Sequence, residues 1–96
     1  MYGGAIFERL TDLSLVINIK DKAFLKAFGA HLKGLRKAKG ISQENLALDA
    51  NIAENQVGLI EKGKINTSIS TLYVLSKALN INYKELLDFD LKESKK

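Results

Sequence analysis

The sequence predicts an all-α bundle of five helices with short connections, preceded by an N-terminal extension of different character. Three observations lead there. Apolar residues recur at intervals of three and four through most of residues 21–88. Proline is absent, so nothing interrupts a helix from within. Cap-forming residues (Asp21, Ser42, Ser68, Asn82) precede the periodic segments, and Gly40, Gly63 and Asn80 follow them.

The 96 residues allow one domain. The expected division is an extension over 1–20, a helical domain over 21–88 and a charged tail over 89–96. In the extension, Leu13, Leu15, Ile17 and Ile19 alternate with Ser14, Val16, Asn18 and Lys20. That is the period of a strand, although Ile6, Leu10, Leu13 and Ile17 also fit helical spacing. The β-branched residues favour a strand over 13–19. Alone in a helical chain it would pair with the same strand of a second copy; a disordered leader is the alternative.

Asp21 caps a first helix running to about Ala38, with an apolar stripe of Phe24, Phe28, Leu32 and Leu35 supported by Leu25 and Ala38. Arg36, Lys37 and Lys39 suit the negative end of its dipole, and Gly40 stops it. Ser42 caps a second helix, 43–50, burying Leu46, Ala47 and Ala50. Asn51 takes the bend, and the third helix is 54–62, closed by Gly63. Ser68 caps a fourth, 69–79, whose inner side is Ile69, Leu72, Tyr73, Leu75, Ser76 and Leu79. Asn82 and Glu85 have capping-box spacing before a fifth, 83–88, offering Leu86 and Leu87.

The third helix is the informative one. At about 100° per residue, Ala53, Val57, Ile60 and Glu61 fall on one side, while Asn55, Leu59 and Lys62 point the other way. Glu54 and Gly58 lie on one flank and Gln56 on the other. The first set anchors the helix; the second is mixed and ends in a cation, which suits a helix that meets a polyanion. Two short helices joined at Asn51-Ile52-Ala53 have the form of a helix-turn-helix, whose second helix enters the DNA major groove.

Composition removes other classes. Without cysteine there are no disulfides, thiol nucleophiles or cysteine metal sites. One histidine, and no Gly-rich phosphate loop, nucleophile elbow or metal-ligand cluster, argue against an enzyme and for a protein needing no cofactor or metal. No apolar run approaches the roughly 18 residues of a membrane span, and residues 1–20 make a poor signal peptide. A soluble cytoplasmic protein is expected. The net charge of +4 has the sign a nucleic-acid partner requires.

From about Phe28 to Leu87, roughly 60 of the 96 residues, the chain resembles the phage-repressor-like helix-turn-helix domains of the XRE (Cro/C1) type. The matching string is Leu35-Arg36, Gly40-Ile41-Ser42-Gln43-Glu44, Leu46-Ala47, Val57, Ile60-Glu61-Lys62-Gly63, Ser68, Thr71-Leu72, Ala78-Leu79 and Glu85-Leu86. The resemblance implies a lambda-repressor-like five-helix bundle that binds double-stranded DNA, usually as a homodimer on a near-palindromic operator. It implies that Gln43 contacts a phosphate and braces the recognition helix, and that Glu54, Asn55, Gly58 and Leu59 face base edges. Lys62 and Lys64 would run beside the sugar-phosphate backbone, and Arg36 and Glu61 would form an internal ion pair. Three positions depart from the pattern: Asn51 stands where glycine is common, Ala53 where a serine or threonine caps the recognition helix, and Thr67 where proline is usual.

Each residue also has an ordinary reading. Asn55 can pair bidentately with adenine, or be a solvated residue near a helix start. Leu59 fits a thymine methyl or a partner subunit. Glu54 can accept from cytosine N4, but charge–dipole stabilisation of its helix suits it better. Gly58 weakens a helix, and close approach of backbone to DNA would repay that. Lys33, Lys37 and Lys39 are further candidate phosphate contacts. His31 reads as a surface residue, Tyr73 and Phe89 as packing. The leading function is a sequence-specific transcriptional regulator, repressor or autoregulator; the alternative is a protein-interaction module or antitoxin-type partner of another protein.

Overall fold

The computed structural model describes residues 21–91. Within them the chain forms four α-helices, α1 (Lys22–Ala38), α2 (Gln43–Ala50), α3 (Glu54–Glu61) and α4 (Ile69–Leu79), followed by a 3-10 helix over Tyr83–Leu87. The expected strand over 13–19 lies outside the described residues.

The caps are where the sequence places them. Asp21, Ser42 and Ser68 each accept a hydrogen bond from the backbone N–H three residues on, at 3.0–3.1 Å. Ala53 offers no side-chain cap to α3. All four helices end alike: Gly40, Asn51, Gly63 and Asn80 take positive φ near 60–70°. The next N–H then reaches back five residues, from Ile41 to the Arg36 carbonyl, Ile52 to Ala47, Lys64 to Leu59 and Ile81 to Ser76. This closure satisfies carbonyls the helix cannot pair itself, and an apolar residue usually follows the left-handed one. Ile41, Ile52 and Ile81 comply, packing on the core. Lys64 is the exception.

Phe28, Leu32, Leu46, Ala47, Ala50, Val57, Ile60, Leu75, Leu79 and Leu86 form the core. Helix α2 packs on α3 and α4, while α1 packs on α3 and the 3-10 helix. The α1–α3 crossing is close because Gly29 lies in it: a Cβ there would come within 2.3 Å of the Ile60 carbonyl oxygen. The buried line of α1 is therefore Leu25, Phe28, Gly29, Leu32 and Arg36. Phe24 and Ala38, expected in the stripe, are exposed; Phe24 stacks on Phe89 at the margin, ring centroids 5.4 Å apart.

Three further expectations change. On α4 only Leu75, Ser76 and Leu79 are buried, whereas Ile69 is 83% and Tyr73 50% exposed. Helix α4 is apolar around most of its circumference, so periodicity assigned it a wider inner face than its neighbours cover. The fifth helix is a 3-10 turn of five residues, in which Asn82 accepts from the Lys84 N–H at 2.8 Å. A segment this short gains little from α geometry, and the tighter turn brings a nearer donor to the cap. His31 is half-buried: its Nε2 is 2.6 Å from the Glu85 carbonyl oxygen, to which it donates, and its ring packs on Phe89. Phe89, from the expected tail, also packs on Phe28.

Candidate nucleic-acid interface

Asn51, at φ 60°, turns the chain sharply between α2 and α3. The turn and the buried side chains Leu46, Ala47, Val57 and Ile60 fix how α3 lies across α2. Helix α3 stops at Glu61, with Lys62 as its C-cap, one residue short of the expected 54–62. Val57, Ile60 and Glu61 point inward as the periodicity requires, but Ala53 is exposed because it precedes the first helical turn.

The opposite side of α3 is open. Gln43, Glu54, Asn55, Gly58, Leu59 and Lys62 line one shallow concavity, bringing together all four expected base-facing residues and two of the three expected phosphate contacts. The third, Lys64, lies beside it with Lys22, Lys26, Lys62 and Gly63. Glu54, Asn55 and Lys62 are exposed, while Gly58 and Leu59 are half-buried. A Cβ on Gly58 would meet only the Gln43 amide, at an ordinary 3.7 Å. Nothing inside the protein demands glycine at 58.

Behind the concavity stands a buried polar network. Arg36 donates through Nε to Glu61 Oε2 at 2.6 Å and through Nη2 to Oε1 at 3.0 Å. Its Nη1 donates to the Ile41 carbonyl at 2.8 Å, tying the α1–α2 turn to the same guanidinium. The pair is nearly dry, with side-chain exposures of 9% and 2%. The Glu61 hydrogen bond raises the Arg36 pKa above its ordinary value; burial opposes this and the Glu61 charge assists it. Gln43 Nε2 donates to Glu61 Oε1 at 2.9 Å. A carboxylate only accepts, so the Gln43 amide must turn its nitrogen inward, leaving its second N–H for an outside acceptor.

Lys22 and Lys26 line the neighbouring concavity although the sequence marked neither. Both stand one turn apart on α1, a weak signal in a lysine-rich helix, and only the α1–α3 crossing carries them to Lys62. Among the described residues no group of three or more His, Asp or Glu could hold a metal ion, and no helix is long and apolar enough to cross a membrane.

A helix-turn-helix family model (HTH_3) matches residues 32–86, more than half of the chain. The chain belongs to the helix-turn-helix family. Within it, the control protein C.BamHI of Bacillus amyloliquefaciens is 36% identical over 63 residues, spanning 65% of this chain and 78% of that protein. The HTH-type transcriptional regulator y4dJ of Sinorhizobium fredii is 31% identical over 62 residues, 65% of this chain and 80% of the relative. Among solved structures, the restriction-modification controller protein C.AhdI from Aeromonas hydrophila superposes with a TM-score of 0.64 at 42% identity, covering 65% of this chain and 94% of that one.

Proposed function

We propose that this helix-turn-helix protein reads an operator in double-stranded DNA by presenting the outer face of α3 to the major groove. The protein is a DNA-binding transcriptional regulator, acting without catalysis or cofactor in the cytoplasm. The observation that carries this is the single concavity that gathers Gln43, Glu54, Asn55, Gly58, Leu59 and Lys62 on the exposed side of a helix held rigidly from behind. Phosphate contacts from the second N–H of Gln43, from Lys62 and from Lys64 set the register, and base edges supply sequence. Asn55 pairs with adenine, Leu59 meets a thymine methyl, and Gly58 lets the backbone come close. Glu54 chiefly stabilises the start of α3.

In this reading the operator is bound by a homodimer, which a second uncovered surface supports. Ile69, Tyr73, Tyr83 and Leu87 are at least half exposed and line one apolar groove with Leu72. This groove lies on α4 and the 3-10 helix, neither of which lends a residue to the DNA-facing concavity, so both surfaces can be occupied at once. A second copy joined there presents two α3 helices to grooves about 34 Å apart. The domain comprises residues 21–88 with its margin at Phe89; the relatives support a controller role of the kind their names describe.

Selection of sites from a random duplex library, repeated at two salt concentrations, tests the reading. A two-fold motif whose affinity falls steeply with salt supports it, and Asn55→Ala then relaxes preference at one base pair by about 1–3 kcal/mol. Absence of any motif, with residual binding lost at moderate salt, overturns it and turns attention to a protein partner. Sedimentation of Tyr73→Lys tests the dimer surface: a monomer is expected, and an unchanged dimer rejects that surface.

A further inference from the structure

Four lysines meet where α1 starts and α3 ends, and two of them belong to no expected site. Lys22, Lys26, Lys62 and Lys64 line one shallow concavity together with Gly63, and no carboxylate among the described residues shares its lining. The chain is packed to bring them there. Gly63 has φ 73°, and a Cβ on it would come within 2.7 Å of the Lys26 Cα and 2.8 Å of the Lys26 backbone nitrogen. The loop leaving α3 is thus pressed onto the first turns of α1, with Lys62 and Lys64 on either side of the contact.

A local rule is broken at this place. Lys64 follows the left-handed residue, the position that carries core-packed isoleucine after each of the other three helices. Lys22 and Lys26 stand in the opening turns of α1, where the nearest acid is the Asp21 cap, already held by the Phe24 N–H. Departures from local rules collect at functional surfaces. The concavity also adjoins the DNA-facing one, since Lys62 lines both. A backbone that follows α3 to its end continues onto Lys22 and Lys26.

We propose that Lys22 and Lys26, with Lys62 and Lys64, form a second phosphate-binding cradle that extends the DNA contact from the end of α3 onto the start of α1. This rests on the operator-reading function above and adds contacts on the flank of each half-site. The cradle contributes affinity and orientation but no sequence preference, because phosphates are alike at every step.

The test is the salt dependence of binding by the full-length protein. Each phosphate contact adds about 0.9 to the slope of log affinity against log salt, so Lys22→Gln/Lys26→Gln lowers the slope by about 1.8. Affinity at about 0.1 M salt falls at least tenfold on the selected operator and on generic duplex DNA alike. The recovered motif stays unchanged. Both lysines are exposed and glutamine keeps the stem that lies on Gly63, so an unaltered thermal transition is expected to accompany these changes. Lys84→Gln, a charge removed from the 3-10 helix, is the control. A slope change in the double variant no larger, per charge, than that of Lys84→Gln overturns the cradle while leaving operator reading intact. Loss of the motif in the unaltered protein overturns operator reading itself, and the generic-duplex slopes then still decide whether Lys22 and Lys26 touch phosphate.

Discussion

Removing one partner of the Arg36–Glu61 pair is expected to be among the most damaging single changes in this protein. Glu61→Leu deletes three hydrogen bonds together, two from Arg36 and one from Gln43. It leaves a guanidinium in a nearly dry site with the Ile41 carbonyl as its remaining partner. Breaking a buried pair in this way costs about 3–5 kcal/mol. Against a total stability of about 5–15 kcal/mol, that is a large fraction. For a domain of this size it corresponds to a fall in Tm of at least about 12 °C. Arg36→Met orphans the carboxylate instead, and a similar loss is expected. The double variant Arg36→Met/Glu61→Leu removes both charges and recovers most of the stability, because much of each single loss is the solvation of the abandoned charge. Urea denaturation of the four proteins gives the coupling directly. If either single variant loses less than about 1 kcal/mol, or the double loses the sum of the singles, the pair is not a desolvated lock between α1 and α3. The double variant carries a second consequence: with Glu61 gone the Gln43 amide has no inward acceptor, so operator affinity stays low even though the fold is restored.

Three changes in glycine and alanine probe the backbone frame. Gly29→Ala drives a methyl against the Ile60 and Glu61 carbonyls and is expected to cost about 1–3 kcal/mol by thermal melting. Gly34→Ala, in the same helix with open space around it, is expected to stabilise by about 0.5–1 kcal/mol; like signs for the two would refute the close α1–α3 crossing. Ala53→Ser supplies the cap that α3 lacks and should raise stability by about 1 kcal/mol, read as a shift of the urea midpoint at constant slope.

Much of this protein is legible one helix at a time. Asp21, Ser42 and Ser68 start helices, and Gly40, Asn51, Gly63 and Asn80 end them, because caps and left-handed closures involve residues only a few positions apart. The faces of α3 were equally readable, since an eight-residue helix with Val57, Ile60 and Glu61 on one side has no other way to bury them. The outer face of α4 was not. Ile69 and Tyr73 satisfy helical periodicity as well as Leu75 and Leu79 do, and which apolar residues are covered depends on neighbours absent from the local sequence.

The same division separates the two parts of the candidate interface. The sequence by itself determined that α2 and α3 would form a helix-turn-helix with Asn55, Leu59 and Lys62 on the side away from the core, because turn chemistry and helical period are local properties. Only the tertiary structure decided that Gln43 is held by Glu61, and that Lys22 and Lys26 stand beside Lys62 and Lys64. Those neighbours are brought together across tens of residues by two glycines that let backbones touch, and a close crossing of that kind leaves no periodic trace in the chain.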